Sequence, residues 1–173
     1  TPLKKIVDLA NSKNIPVLVD GTQGAPHLDL NMQDLGCDFY AISCHKMYGP
    51  NGLGILYAKK KWLEKLPPYQ GGGGMIDEVT KEKITYADIP NKFEAGTMQT
   101  AEVVAFNESI KLIEKIGIKN ISGHENEVLE YGLEKLKKNN SIQIIGDPKY
   151  KTSVISFTLK GIHPHDIATI LDD

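Results

Sequence analysis

Lys46 is the residue whose neighbours most constrain its chemistry. It lies in Ser43-Cys44-His45-Lys46-Met47-Tyr48-Gly49-Pro50, after an apolar strand-like segment and at the mouth of a glycine-rich turn. Lysines more often serve as exposed, solubilising charges. One held at a strand end, beside a hydroxyl and an imidazole, suits Schiff-base chemistry. Its amine attacks a carbonyl while Ser43 and His45 hold an anionic group. Strand alternation places Ser43 and His45 on one face and Cys44 on the other.

Asp20 ends a second apolar run, Val17-Leu18-Val19-Asp20-Gly21-Thr22-Gln23. An acid there occupies the strand end where ligands bind in open α/β sheets. As a lone residue it reads first as a cap or turn former. The lysine motif favours the ligand role, because a pyridine-type cofactor needs a carboxylate to keep its ring nitrogen protonated. Gln23, one turn on, is then placed to bond a ring hydroxyl.

Other motifs carry less. Cys44 opposes Ser43 in parity and reads, like Cys37, as a buried core thiol rather than a nucleophile. Gly49-Pro50-Asn51-Gly52-Leu53-Gly54 has the wrong spacing for a dinucleotide fingerprint and lacks the lysine of a P-loop, so it reads as a tight turn. The four glycines at 71–74 read as a mobile or closely packed loop. Phe93-Glu94-Ala95-Gly96-Thr97 could offer an amide and a hydroxyl to a phosphate, or enter a helix. His163-Pro164-His165-Asp166 hints at a metal but fits a helix start better. No metal is expected.

These residues need elements to position them. Leu3, Ile6, Val7 and Ala10 predict an amphipathic helix over 2–13, ended at Asn14. Val17–Asp20, Asp38–Ser43 and Gly54–Ala58 read as strands, with a short helical or looped crossover over 29–36 stopped by Gly36. A crossover of that length predicts a layered α/β sheet. Residues 67–92 read as a long loop or loosely paired hairpin. From Thr100 to Asn139 two helices follow, punctuated by Gly117 and Gly123. Val103, Phe106, Ile110 and Ile113 share one face, and the second helix runs around Val128, Tyr131, Leu133 and Leu136. Strands near Ile142–Ile145 and Val154–Leu159 and a helix from His165-Asp166 close the chain.

Composition narrows the partners. At 173 residues and a net charge of −2, with no basic stripe, the chain offers no nucleic-acid surface. Its apolar runs are too short to span a bilayer, and no signal-peptide pattern opens it. Two cysteines make no disulfide framework, which predicts a reducing, cytoplasmic setting.

Taken in order, the Asp20, Ser43–Tyr57, Gly72-Gly73-Gly74-Met75-Ile76 and Phe93–Thr97 motifs closely resemble the class V aminotransferase group of fold-type I PLP enzymes. Within that group they are most similar to SufS-type (group II) cysteine desulfurases, and the likeness runs over essentially the whole chain. The resemblance implies part of a large domain with a mainly parallel sheet at 1–122. The start of a smaller α/β domain follows at 123–173. It implies pyridoxal 5'-phosphate (PLP) bound through Lys46, which would also move the Cα proton. Asp20 would pair with the ring nitrogen, Gln23 contact the ring oxygen, and Ser43 and His45 bind the phosphate. Thr97 would reach the phosphate of a partner subunit, implying a homodimer. The implied reaction takes L-cysteine to L-alanine and leaves sulfur as an enzyme persulfide for a sulfur-acceptor protein of iron–sulfur assembly.

The family's sulfur-accepting cysteine lies beyond Asp173 in this alignment of motifs, and its ring-stacking histidine before Thr1. The chain therefore reads as an internal fragment, inactive alone, and Cys44 does not inherit the persulfide role. Selenocysteine lyase or a class V aminotransferase of a small amino acid would share these motifs. A non-catalytic scaffold retaining the fold would have no use for Lys46 with Asp20.

Overall fold

A computed structural model describes residues 2–146, 148 and 151–173. They fall into two compact units, Thr1–Lys115 and Ile116–Asp173.

In the first unit, the apolar face read from Leu3 to Ala10 forms helix α1 (Leu3–Ser12), which buries Val7 completely. Asn14, with φ of 56°, turns the chain out of it. Strand β1 (Leu18–Asp20) leads to helix α2 (Met32–Leu35). Asn31 caps α2 by accepting the Gln33 and Asp34 amides at 2.8 and 3.2 Å, and Gly36 ends it at φ of 76°. Strand β2 (Phe39–Ser43) then pairs parallel to β1, Leu18 opposite Phe39 and Asp20 opposite Ala41. Strand β3 (Gly54–Ala58) pairs antiparallel on the other side of β2, with Ser43 opposite Gly54. The sheet order is β1-β2-β3, so among the described residues it holds one parallel and one antiparallel pair. Val7, Val19, Ala25, Leu35, Cys37 and Tyr40 form the core beneath it.

Helix α3 (Lys60–Lys65) follows β3 directly and was not evident from sequence, its single turn and a half being too short for a periodic signal. The 67–92 stretch contains a paired hairpin, β4 (Ile76–Val79) with β5 (Ile84–Tyr86), irregular at Asp77. Helix α4 (Thr100–Ile116) completes this unit but for its last residue.

The second unit holds α5 (Ile118–Lys137), the antiparallel pair β6 (Ile142–Ile145) and β7 (Ser156–Leu159), and α6 (Pro164–Asp172). Gly117, at φ of 85°, divides α4 from α5, whereas Gly123 lies inside α5 and breaks nothing. The buried stripe of α5 is Ile121, Leu129 and Leu133, while Val128 and Tyr131 are exposed. His163 caps α6 by accepting the His165 amide on Nδ1, as the helix-start reading of that motif requires.

Asp38 ties the strands together at their entry end. Its buried carboxylate accepts the Val17 amide at 3.0 Å and the Trp62 indole N–H at 2.8 Å. Lys61 and Lys59 pair with it at 3.2 and 3.4 Å. Burial pulls this carboxyl up, but the hydrogen bonds of Trp62, Val17 and Lys61 and the Lys59 charge outweigh it and lower it from 3.8 to about 2. The group thus binds protons less readily folded than unfolded. Its contribution is complete above about pH 4 and is lost as pH falls towards about 2. Replacing Asp38 with Asn should cost on the order of 2 kcal/mol in urea unfolding at neutral pH. The gap to wild type should narrow below pH 4; a gap independent of pH would contradict the assignment.

Candidate active site at two adjacent strand ends

Parallel pairing brings the C-terminal ends of β1 and β2 to one edge, and each end carries a sequence-predicted residue: Asp20 on β1, Ser43 on β2. Beyond Asp20 the Gly21 amide donates to Ala41 O at 2.9 Å, continuing the ladder by one bond. The chain then folds on Gly21, whose carbonyl accepts the Gly24 and Ala25 amides at 2.9 and 2.8 Å and the Tyr40 hydroxyl at 3.5 Å. Tyr40 is fully buried, and its ring fills the space beside Gly21 where a Cβ would stand, 1.9 Å from the nearest ring carbon. Burial pushes its phenol up, so it stays a neutral donor.

The Asp20 carboxylate is exposed and receives the Thr22 amide on Oδ1 at 3.1 Å. Hydrogen bonds from the Thr22 side chain and backbone lower its pKa, desolvation opposes them, and the Lys46 ammonium lowers it further. Asp20 and Lys46 are therefore electrostatic neighbours, twenty-six residues apart in sequence, and Asp20 is an anion at neutral pH. Gln23 is exposed in the turn that follows.

Around Lys46 the structure departs from strand alternation. β2 stops at Ser43, and Cys44–Met47 form a 3-10 turn. Three residues per turn align Cys44 with Met47, and Ser43 stands before the turn in extended backbone, so the strand parity that paired it with His45 does not apply. Cys44 is wholly buried, with its thiol raised by burial, and Met47 packs against the core. His45 and Lys46, between these two anchors, are exposed. Tyr48, left-handed at φ of 60°, closes the turn by donating its amide to Cys44 O.

After Lys46, Gly49 is a steric requirement, whereas Gly52 is required by its backbone, at φ of 84°. A Cβ on Gly49 would lie 2.5 Å from the Phe106 ring and 2.8 Å from Cys44 O, while one on Gly52 would meet Gln99 Oε1 at 3.3 Å. Helix α4 thus packs on the lysine turn, and Ser109 donates its hydroxyl to Tyr48 O at 2.9 Å. Sequence reading found Phe106 as a core position and passed over Ser109. The available signal was a small polar residue three positions after Phe106, on an otherwise apolar helix face.

The Thr97 segment is organised by the glycine loop. The Gly96 amide donates to Gly73 O at 2.9 Å, and a Cβ on Gly72 would stand 3.2 Å from Gly96 N. The loop is closely packed there. Thr97 is exposed, and no hydrogen bond among the described residues joins it to Asp20, Ser43 or Lys46.

Comparisons with known proteins follow the same pattern. All 173 residues match the aminotransferase class-V family. A probable cysteine desulfurase of Halalkalibacterium halodurans is 42% identical over 171 residues, 99% of this chain and 42% of that protein. The cysteine desulfurase CsdA of Escherichia coli, in an S-sulfonic acid form, superposes with a TM-score of 0.92 at 33% identity. That match covers 98% of this chain and 42% of the other. The apo cysteine desulfurase of Thermococcus onnurineus gives 0.93 at 31%, covering 99% and 43%. The chain spans about two fifths of the length of these relatives.

Gly21→Ala should destabilise the first unit by roughly 3 kcal/mol, as overpacking against a buried ring does. Urea unfolding reads this directly, and a loss below 1 kcal/mol would show that Tyr40 is not the fixed wall described.

Proposed function

Because the chain belongs to the aminotransferase class-V family, we propose that it forms the cofactor-holding part of a PLP-dependent cysteine desulfurase. The reaction takes L-cysteine to L-alanine, leaves the sulfur as an enzyme persulfide, and delivers it, in the SufS-type manner, to an acceptor protein of iron–sulfur assembly. One observation carries the reading: parallel pairing brings the end of β1, with Asp20 held by Thr22, and the end of β2, with the Lys46 turn, to the same edge of the sheet.

The donor set fits PLP. A ring-nitrogen partner must keep its charge, and Asp20 does. A phosphate needs donors near the lysine, and Ser43 and His45 flank it with a hydroxyl and an imidazole. When bound, PLP supplies an electron sink that acidifies the substrate Cα–H. Lys46 anchors the cofactor through Nζ, then takes and returns the proton at Cα. Asp20 holds a proton on the ring nitrogen, and Gln23 donates to the ring oxygen. Ser43 and His45 bind the phosphate. Thr97 reaches the phosphate held by a second copy, in a homodimer; its exposure here supports that role. The resemblance divides large from small domain at 122/123, a boundary inside α5, whereas the two compact units divide at Lys115/Ile116.

No helix of the described residues is long and apolar enough to cross a membrane. Both cysteines, Cys37 and Cys44, are free and buried, which supports a reducing, cytoplasmic location.

PLP added to the intact protein should produce a visible band that borohydride fixes to the Lys46 peptide. Lys46→Ala should lose that fixation and at least about 10³-fold of alanine release, about 4 kcal/mol of barrier. Asp20→Asn should still bind PLP but release alanine about 10²-fold more slowly. A wild-type protein that forms no band refutes the reading. Pyridoxamine formation with an oxo acid, without alanine or persulfide from cysteine, would replace it with transamination.

A further inference from the structure

We propose that Ser109 is a positioning residue for Lys46, fixing the turn that presents its amine through a hydrogen bond to the Tyr48 carbonyl. The inference rests on the reading of Lys46 as the cofactor lysine.

Helix α4 buries only two side chains among the described residues, Phe106 and Ser109, and both bear on the segment just after Lys46. A serine inside a helix ordinarily satisfies its hydroxyl on its own preceding turn. Ser122 in α5 does this, donating to Ile118 O at 3.0 Å. Ser109 instead donates across 61 positions to Tyr48 O at 2.9 Å. A buried hydroxyl sent to a distant carbonyl holds that carbonyl in one direction.

That carbonyl belongs to the residue that closes the lysine turn. The Tyr48 amide is committed to Cys44 O, its φ is 60°, and Gly49 beyond it has no room for a side chain between Phe106 and Cys44 O. With the amide bound to Cys44, the Ser109 bond fixes the other side of the same residue. The 3-10 turn is then held at both ends, by Cys44 and Met47 inside and by α4 outside. Lys46 is exposed, so packing of its own side chain does not aim it; the backbone beneath it does. Losing the Ser109 bond frees Tyr48 to relax its left-handed backbone and lets the turn sample other directions for the amine.

The test uses the intact protein, stripped of PLP and then given PLP. In the apoprotein, Ser109→Ala should slow growth of the visible, borohydride-fixable band by roughly 3- to 10-fold. In the loaded enzyme it should lower kcat by a similar factor and leave KM for cysteine within about twofold. Ser109→Thr keeps the hydroxyl and should recover most of both rates. Ser122→Ala, which removes an intrahelical bond, should leave both unchanged. If Ser109→Ala captures PLP and turns over at wild-type rates while only its thermal midpoint falls, Ser109 is a structural residue and the proposal is overturned. Should the alanine variant fail to fold, Ser109→Cys, near-isosteric with a weak donor, carries the same comparison. Wild-type apoprotein that captures no PLP overturns the cofactor reading and this inference together, whereas normal capture with an indifferent Ser109 overturns this inference alone.

Discussion

Everything at the site depends on the parallel pairing of β1 with β2. Parallel neighbours end at the same edge, so the chain must cross back between them, and here α2 and its flanking turns make that crossing. The pairing puts Asp20 two residues short of the level of Ser43, which lets the turn after β2 bring Lys46 towards the carboxylate. An antiparallel pairing would have sent the two groups to opposite edges. At the far edge Asp38 holds the same two strands in register, through the Val17 amide on one side and Trp62 of α3 on the other. One buried carboxylate therefore fixes the frame, and an exposed one serves the chemistry.

The two acids show how environment assigns roles to one residue type. Both are lowered, but for different reasons. Asp38 is desolvated and survives as an anion only because two N–H groups and two ammonium groups surround it. Asp20 stands in solvent, held by Thr22 and drawn down by Lys46. A group committed on every side cannot also meet a ligand. Asp20 keeps free acceptor capacity at an open edge, which a ring-nitrogen partner needs.

Much of this was legible in the chain because local signals agreed with the global fold. The end of α1 near Asn14, the stop of α2 at Gly36 and the split at Gly117 each rest on a residue whose backbone preference is strong, and the span of β3 followed from its apolar run. The role of the Gly49–Gly54 run as a turn followed from its spacing. What stayed hidden was non-local or short. α3 has too few residues for a period, and the 3-10 turn at Cys44 looks like continued strand because Ser43-Cys44-His45 is compatible with both. Asp38 reads as a polar strand opener until Trp62 and Val17 are brought to it. Of the apolar residues that located α5 in the sequence, Leu133 is buried while Val128 and Tyr131 are exposed, because the helix carries more apolar residues than it buries.

The lysine turn also illustrates why magnitudes matter at an exposed site. A non-glycine residue in the left-handed region costs roughly 1–2 kcal/mol, and Tyr48 bears that cost with its own side chain half exposed. Each hydrogen bond to its backbone returns about 1 kcal/mol net, and Tyr48 makes one through its amide and one through its carbonyl. Those two bonds alone only match the strain. The balance is tipped by apolar burial on either side, Cys44 and Met47 beneath and Phe106 above, at about 1.5–3 kcal/mol for a large side chain fully buried. The turn is held because α4 covers it, and α4 begins three residues after Thr97. The segment read as a phosphate contact thus leads, within three residues, into the helix that backs the lysine turn.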